Sequence, residues 1–240
     1  MSDLVTGTTL LDLADPVGDD NGPGTFAYPL SADFVPGAFD MTGFQVILDG
    51  DTVYLRAKVG DLSPTFGDPL GAQLFTVFVH DPAAADTSTA PFYASRNYTV
   101  AEQDAWSRAI QVRGFAAPRL INPDGSSAGD IRVQASSLSD YITVIVPVEA
   151  LGGTPGSGWT FTTALWGQDG FGIDEARPIT ATPQDFTFGV CAEGDPDPRC
   201  ILDPADAPFV MDTIPPPGVE QSIELDALLG PVVLRGVTVP

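Results

Sequence analysis

Basic residues are scarce in this sequence. Its 240 residues contain ten lysines and arginines against 32 acids, which gives a formal net charge of −22, and the isoelectric point lies near 4.1. A surface this acidic repels the phosphates of nucleic acids and of anionic lipid headgroups. The charge balance therefore excludes nucleic acid and anionic membrane surfaces as partners, whereas divalent cations and neutral sugars are compatible with it.

Histidine is scarcer still, since His80 is the only one. A zinc hydrolase or a Ser-His triad would have at most one usable imidazole, and the chain has no G-x-S-x-G elbow or phosphate-cradling glycine loop. No motif selects, among the 32 acids, the carboxylate pair that a glycosidase needs. We therefore predict that the protein is not an enzyme, keep a glycoside hydrolase as a minor alternative, and interpret His80 as a packing or hydrogen-bonding residue.

Long apolar runs are missing as well. No segment approaches the roughly 20 apolar residues that span a bilayer, so no membrane insertion is expected. Residues 1–13 also lack the basic start and the continuous apolar run of a signal peptide. We interpret Met1 as an expression start or as a cut made inside a longer precursor.

Cysteine occurs twice, at Cys191 and Cys200, with eight residues between the two. Neither a C-x-x-C pair nor a nearby histidine supports a zinc site. We predict a short-range disulfide formed in an oxidising compartment, and hence a secreted or cell-surface protein. Residues 191–218, rich in proline and aspartate, are predicted to form a surface excursion tied by this disulfide.

Turn residues are abundant, with 25 glycines and 23 prolines spread along the chain. Between them the apolar residues recur with a period of two, which is typical of β-strands. The predicted strands lie within residues 44–59 (a hairpin around Asp49-Gly50-Asp51), 74–79, 109–112, 131–135, 141–146, 160–166 and 232–239. Single helical turns are expected near 149–151 and 222–229. The pattern predicts an all-β fold, a single antiparallel two-sheet β-sandwich that spans residues 1–240 as one domain.

A dense group of oxygen ligands lies at residues 15–21, where Asp15, Asp19, Asp20 and Asn21 are interspersed with glycine and proline. Calcium binds six to eight oxygens and accepts a mixture of carboxylates and carbonyls. Glycine allows backbone carbonyls to turn inward. The loop therefore predicts a Ca²⁺ site, although its spacing is not that of an EF-hand. The alternative is an acidic surface turn with Asx caps.

Five blocks of sequence, in order, carry a resemblance to a known family. They are DPVGDDNGPGTFAYP at 15–29, FVPGAFDMTGFQV at 34–46, the SRN and WSRAIQVRG segments within 95–114, Trp159 with GQDGFG within 159–172, and FTFG at 186–189. The set resembles the C-terminal DOMON-like domain of bacterial glucodextranases and related cell-surface glucan-active proteins, from about residue 11 to about residue 229. The first block is the most specific of the five.

This resemblance implies a jelly-roll-like sandwich similar to family 9 carbohydrate-binding modules, attached to a larger secreted hydrolase. It implies contacts with calcium and with a polysaccharide, an α-glucan in particular, or with the cell envelope. The metal ligands it indicates are Asp19, Asp20 and Asp40, with Asp15 as a second-rank member.

Tryptophan side chains offer flat apolar faces for sugar rings, with neighbouring polar groups to fix the hydroxyls. Trp166 with Gln168 and Asp169 has this mixture, and Trp106 near Arg96 and Asn97 is the second candidate. For any single tryptophan a core position is the common alternative, and Trp159 is expected in the core. Arg96, Arg108, Arg113 and Arg119 have the alternative role of neutralising nearby acids.

The predicted function is a noncatalytic, calcium-stabilised, extracellular carbohydrate-binding or cell-surface-attachment module associated with an α-glucan-active enzyme. A structural spacer without sugar affinity is the main alternative. A haem-binding DOMON-type domain is a lesser one, and it would need His80 with Met41 or Met211 as axial ligands.

Overall fold

The computed structural model describes residues 5–240, which form two five-stranded antiparallel sheets and two two-stranded parallel ones. The strands are, in chain order, β1 (Thr8–Ala14), β2 (Met41–Asp49), β3 (Thr52–Val59), β4 (Gln73–His80), β5 (Thr99–Val100), β6 (Arg108–Arg113), β7 (Arg119–Ile121), β8 (Arg132–Ser136), β9 (Tyr141–Pro147), β10 (Thr160–Gly167), β11 (Ile179–Thr180), β12 (Phe188–Gly189), β13 (Val233–Leu234) and β14 (Val237–Thr238). The helices are the single turns α1 (Val148–Leu151) and α2 (Gln221–Glu224), with 3-10 segments at Ala94–Arg96, Glu102–Asp104, Ile173–Glu175 and Pro198–Ile201. None of the helices within residues 5–240 is long and apolar enough to cross a membrane.

The first sheet has the strand order β1-β2-β3-β9-β8, and the second has the order β14-β10-β4-β6-β7. The predicted hairpin is β2 with β3, where Asp49 pairs with Thr52 and leaves Gly50 in the turn at φ 57°. Glycine suits this left-handed position because it has no Cβ. The two large sheets pack face to face, so the predicted all-β sandwich is confirmed.

The main core lies between the two large sheets. The ring of Phe44 from the first sheet lies 6.5 Å from that of Phe75 and 6.3 Å from that of Phe161, both in the second sheet. Alternate residues of β3 and β9, among them Val53 and Leu55, also pack into this core and are fully buried. The period of two in these strands therefore reflects one face packed on the core and the other face turned away from it.

The second sheet is covered on both faces. While Phe75 faces the first sheet, Leu74, Phe78 and Trp166 on its outer face pack against long connections, in two further apolar clusters. This explains why β10 is buried at every position and why β4 reads as a nearly continuous apolar run. The prediction of a central strand at 74–79 is confirmed, since β4 lies between β10 and β6.

Three local expectations differ from the structure. The strand predicted at 232–239 is two short strands, β13 beside β5 and β14 beside β10. The edge strand β1 has no counterpart among the predicted strands, and it is largely exposed. The surface excursion predicted at 191–218 is wrong for its second half: residues 210–214 are buried against β10, where Leu165 forms a bridge with Asp212.

Candidate functional site

Four aspartates meet at one end of the sandwich. Asp15 follows β1, Asp19 lies in the next loop, Asp40 directly precedes β2, and Asp212 lies in the segment that covers β10. Carboxylate oxygens of Asp15, Asp19 and Asp212 lie within 4.8 Å of one another. The carboxylate of Asp40 accepts a hydrogen bond from the Gly18 N–H at 2.9 Å and adjoins this group. The structure thus brings together acids from three separate parts of the chain.

These carboxylates are buried or partly buried and have few hydrogen-bond partners. Asp40 is 2% exposed and Asp212 is 0% exposed. One oxygen of each member of the cluster is buried without a hydrogen-bond partner; these atoms are Asp15 Oδ2, Asp19 Oδ1, Asp40 Oδ1 and Asp212 Oδ1. A buried, unpaired acceptor costs roughly 1–3 kcal/mol, and more when it is charged. Four such atoms in one place point to a positively charged group that completes the site.

Burial and mutual repulsion raise the pKa values of the cluster. Burial, and then the carboxylates of Asp19 and Asp40, raise the pKa of Asp15 to about 8. Burial is also the largest cause for Asp40, whose pKa rises to about 6, and it raises the pKa values of Asp19 and Asp212. The four groups therefore resist being ionised together unless a cation lies among them.

Residues from the C-terminal part of the chain hold the cluster in place. The Met41 N–H donates to Asp212 Oδ2, which fixes that carboxylate against the start of β2. The Gln221 side chain donates to the carbonyl of Asp19 at 2.7 Å. Arg199, in the disulfide-tied segment, donates to the carbonyl of Pro23. The acidic loop at residues 15–24 is therefore fastened to two segments more than 170 residues away in sequence.

Asp20, a predicted metal ligand, lies outside the group of three carboxylates. Its carboxylate accepts a hydrogen bond from the Tyr28 hydroxyl, and that hydroxyl accepts one from the Phe39 N–H at 2.9 Å. Asp20 therefore braces the loop. Asp212, which sequence reasoning did not assign, is the third member of that group. The signal that could have found it is an isolated acid in the stretch FVMDTI at 209–214, which is otherwise apolar except for Thr213, because a buried carboxylate needs a partner.

The residues present fit a calcium ion. All the unpaired atoms are carboxylate oxygens, the hard ligands that Ca²⁺ prefers. A divalent cation among the four carboxylates would also favour their ionised forms, and so it would oppose the burial and mutual repulsion that raise their pKa values. A pocket of about 520 Å³ opens beside Asp15 and Asp19 and is walled by residues 214–222, which leaves an approach for an ion and its water.

The predicted disulfide is confirmed, since Cys191 and Cys200 are bonded. Asp195 lies close to both sulfurs, but a disulfide has no thiolate to offer a metal. This second acidic position is therefore not a metal site.

The predicted tryptophan platforms are wrong. Trp106 is 2% and Trp166 1% exposed, because the outer face of the second sheet is covered. Their indole N–H groups donate to the carbonyls of Ala90 at 2.8 Å and Arg177 at 2.9 Å. Trp159, expected in the core, is buried there.

The polar partners predicted around Trp106 have structural roles. Arg96 is buried and donates to the carbonyl of Asp174, and the Asn97 amide donates to the carbonyls of Ala205 and Ala207 at 2.7 and 3.0 Å. Neither side chain is free for a sugar.

Among the remaining arginines, Arg113 and Arg119 bind Glu175 at 2.8 and 3.1 Å, in line with the acid-neutralising alternative. Arg108 instead donates to backbone carbonyls. The ring Nδ1 of His80 lies 2.6 Å from the carbonyl of Ala105, so its expected hydrogen-bonding role is confirmed.

Gln168 and Asp169, the other predicted sugar contacts, do line a pocket. It measures about 540 Å³, and its aromatic walls are Phe66, Phe115, Phe171 and Phe186, with Arg177 beside them. The four phenylalanines come from four separate loops. Phe171 and Phe186 lie in two of the family blocks, but no sequence pattern marked the four rings as one group.

Residues 10–229 match the family model described as the C-terminal binding module, SLH-like, of glucodextranase. No curated protein matches the chain.

Proposed function

This chain belongs to the family of SLH-like C-terminal binding modules of glucodextranase, and from this premise we propose that it is a noncatalytic module that attaches a larger glucan-active enzyme to carbohydrate or to the cell surface. The observation that carries the proposal is the family match, which covers all but the ends of the described chain. The covalent tie at Cys191–Cys200 supports an extracellular or cell-surface setting, because disulfides persist in oxidising compartments.

The distribution of acids supports a noncatalytic role. A glycosidase places two carboxylates across a cleft that admits the sugar. The pocket lined by four phenylalanines contains one carboxylate, that of Asp169. In the aspartate cluster, Asp40 and Asp212 are buried, and Asp15 and Asp19, which border a pocket, both come from the loop at 15–24.

A haem role is not favoured by the described residues. Met41 and Met211, the conceivable partners of His80, are fully buried in two different apolar clusters. Each thioether is therefore committed to packing.

Calcium is the second part of the proposal. Asp15, Asp19, Asp40 and Asp212 would hold the ion through the oxygens that lack partners. Bound there, Ca²⁺ supplies positive charge that the cluster otherwise lacks, and it ties the loop at 15–24 to the segment that carries Asp212. The ion would stabilise the fold rather than take part in a reaction.

Thermal unfolding of the purified protein tests both parts. We expect excess calcium to raise the melting temperature above that in EGTA, because a ligand of the native state stabilises it by mass action. A neutral glucan should add a further, saturable rise. A calcium effect without affinity for any glucan or for isolated envelope would leave a metal-stabilised spacer, and equal melting in calcium and EGTA would contradict the metal site.

A further inference from the structure

We propose that the pocket formed by Phe66, Phe115, Phe171 and Phe186 is the carbohydrate site, and that it binds a short stretch of a neutral glucan. This pocket, named the phenylalanine pocket below, deepens the proposed function and rests on it. The inference assigns the sugar contacts to exposed phenylalanines instead of the tryptophans, which are buried.

The exposure of these rings is the first observation. All four are about half exposed or more, and Phe171 is fully exposed. On a soluble protein, a contiguous exposed apolar patch marks a binding surface. With about 200 Å² of surface for each phenylalanine, the four side chains expose about 500 Å². A stable protein–protein interface buries about 800 Å² on each partner, so the patch is small for a protein and ample for an oligosaccharide.

Backbone conformation at two of the rings is the second observation. Phe66 and Phe115 adopt left-handed φ values of 55° and 60°. This conformation is unfavourable for a bulky side chain and costs on the order of 1 kcal/mol or more. Glycine or asparagine would occupy such turns at lower cost. The Phe66 turn is closed by hydrogen bonds between Thr65 and Asp68, and a Phe115 N–H contact to Asp68 is 3.5 Å long. These two turns therefore present aromatic rings at positions where the backbone conformation favours glycine or asparagine.

The rings are also supported from below. Phe66 and Phe186 both pack edge-on against buried Phe34, with centroid distances of 6.1 and 6.2 Å. The guanidinium of Arg177 lies 4.5 Å from the centre of the same ring. Two walls of the pocket are therefore pre-positioned, which lowers the ordering cost of binding.

Polar groups at the base of the pocket are the third observation. Gln168 and Arg177 are each 4% exposed. Gln168 Oε1 and Arg177 Nε are buried without hydrogen-bond partners, so an acceptor and a donor remain unused beside the rings. Asp169 keeps a carboxylate at the rim, where one oxygen accepts from the Phe171 N–H at 3.0 Å. Hydroxyl groups can both donate and accept, and they suit such a mixture.

The local charges select a neutral ligand. Arg177 and Asp169 carry opposite charges, so the pocket has no net charge. The two terminal nitrogens of Arg177 already donate to the carbonyls of Phe186 and Gln168, each at 2.8 Å, which leaves no fork for a phosphate or carboxylate. An anionic ligand would also meet the net charge of −22. A neutral pyranose has apolar C–H faces for the rings and hydroxyls for the polar groups.

The test is titration calorimetry of the intact protein with isomaltotetraose, together with affinity electrophoresis in gels that contain dextran. Phe115→Ala and Phe171→Ala remove the two pocket rings that pack against no other aromatic ring of the described residues. Leu138→Ala, at a highly exposed leucine outside the pocket, is the matched control. Each phenylalanine variant should raise Kd about threefold to tenfold, and the double variant about 10- to 100-fold. Melting temperatures in calcium should stay close to that of the unaltered protein.

The outcomes separate this inference from the proposed function. Glucan affinity in the unaltered protein that persists within twofold in the double variant would overturn the phenylalanine pocket and leave the attachment function intact. Absence of glucan affinity in the unaltered protein would overturn both the pocket and the sugar part of the function. Loss of self-association or of binding to a protein partner in the double variant, with glucan affinity unchanged, would show that the patch is a protein interface.

Discussion

Replacing Asp212 with asparagine should stabilise the metal-free protein and reduce the stabilisation that calcium adds. Asparagine keeps the shape of the side chain and an oxygen that can accept the Met41 N–H. It replaces the ionisable carboxyl group of the fully buried member of the cluster with a neutral amide. In EGTA the variant should therefore melt above the unaltered protein, and in calcium it should gain much less from the ion.

The size of the effect follows from the burial of Asp212, which raises its pKa well above the ordinary value. Keeping an acid protonated at pH 7.5, when its unfolded-state pKa is near 4, costs about 5 kcal/mol at most. We expect asparagine to recover about 2–4 kcal/mol of this, because its amide nitrogen will be incompletely paired. For a protein of this size that corresponds to a rise of about 5–10 °C in EGTA.

The stabilisation that calcium adds should be smaller in the variant. Calcium at a thousandfold excess over Kd stabilises a protein by about 4 kcal/mol, and a site weakened a hundredfold gains about 1.4 kcal/mol at the same concentration. The rise in melting temperature between EGTA and calcium should therefore shrink from about 12 °C to about 4 °C.

Differential scanning calorimetry in matched calcium and EGTA buffers measures both shifts. Asp86→Asn, at an exposed position, controls for the loss of one charge and should change neither. If Asp212→Asn changes the melting temperature equally in the two buffers, the Asp212 carboxylate does not contribute to calcium binding and the reasoning is refuted.

Three further predictions concern pH, the disulfide and the buried indoles. The pKa of Asp15 rises to about 8 in the folded protein, so the folded state holds a proton that the unfolded state releases near pH 4, and stability in EGTA should fall as the pH rises from about 4 to about 8. Solvent screening at the partly exposed carboxylate reduces this loss to about 3 kcal/mol, and melting curves in calcium should lack it; parallel curves in both buffers would contradict the site. Reduction of the Cys191–Cys200 disulfide should lower the free energy of unfolding by about 2–3 kcal/mol in denaturant melts. It should also weaken calcium binding measured by calorimetry. An unchanged calcium Kd would show that the disulfide-tied segment does not hold the loop. Trp106→Phe should lose about 1–3 kcal/mol of stability, through its buried hydrogen bond and packing, with an unchanged glucan Kd; a weaker Kd would contradict its structural role.

The strands that could be predicted are those with one clear pattern. In β2 and β3, alternation places one face on the core, and Gly50 marks the turn, so the pairing follows from the sequence. The predicted hairpin starts at residue 44, whereas β2 begins at Met41. The edge strand β1 escaped detection because most of its side chains are exposed. The end of the chain was misread as one strand because Gly236 lies where the backbone passes close to Thr160 and Thr162, a contact that local pattern does not encode.

The candidate sites show the same limit. The acidic loop could be found from local composition, and Asp40 from the family resemblance. Asp212 could not, because only the fold brings it to the loop. The tryptophans were misassigned because exposure depends on what covers a sheet. The segment at 207–214, whose Phe209 stacks on Trp166, lies inside the range 191–218 that was predicted to be a surface excursion. The phenylalanine pocket draws its rings from separate loops, so no single stretch of sequence contains it.

The aspartate cluster joins parts of the chain that are synthesised far apart in time. The Met41–Asp212 contact spans 171 residues, and the Gln221–Asp19 contact spans 202. Because closing such long loops costs entropy before the contacts form, we expect the cluster to assemble late in folding. An ion bound there acts chiefly by slowing unfolding, because interactions absent from the transition state change the unfolding rate. A chain that ends before residue 212 has the acidic loop without the Asp212 carboxylate, so the proposed calcium site would form only once the chain extends past that residue.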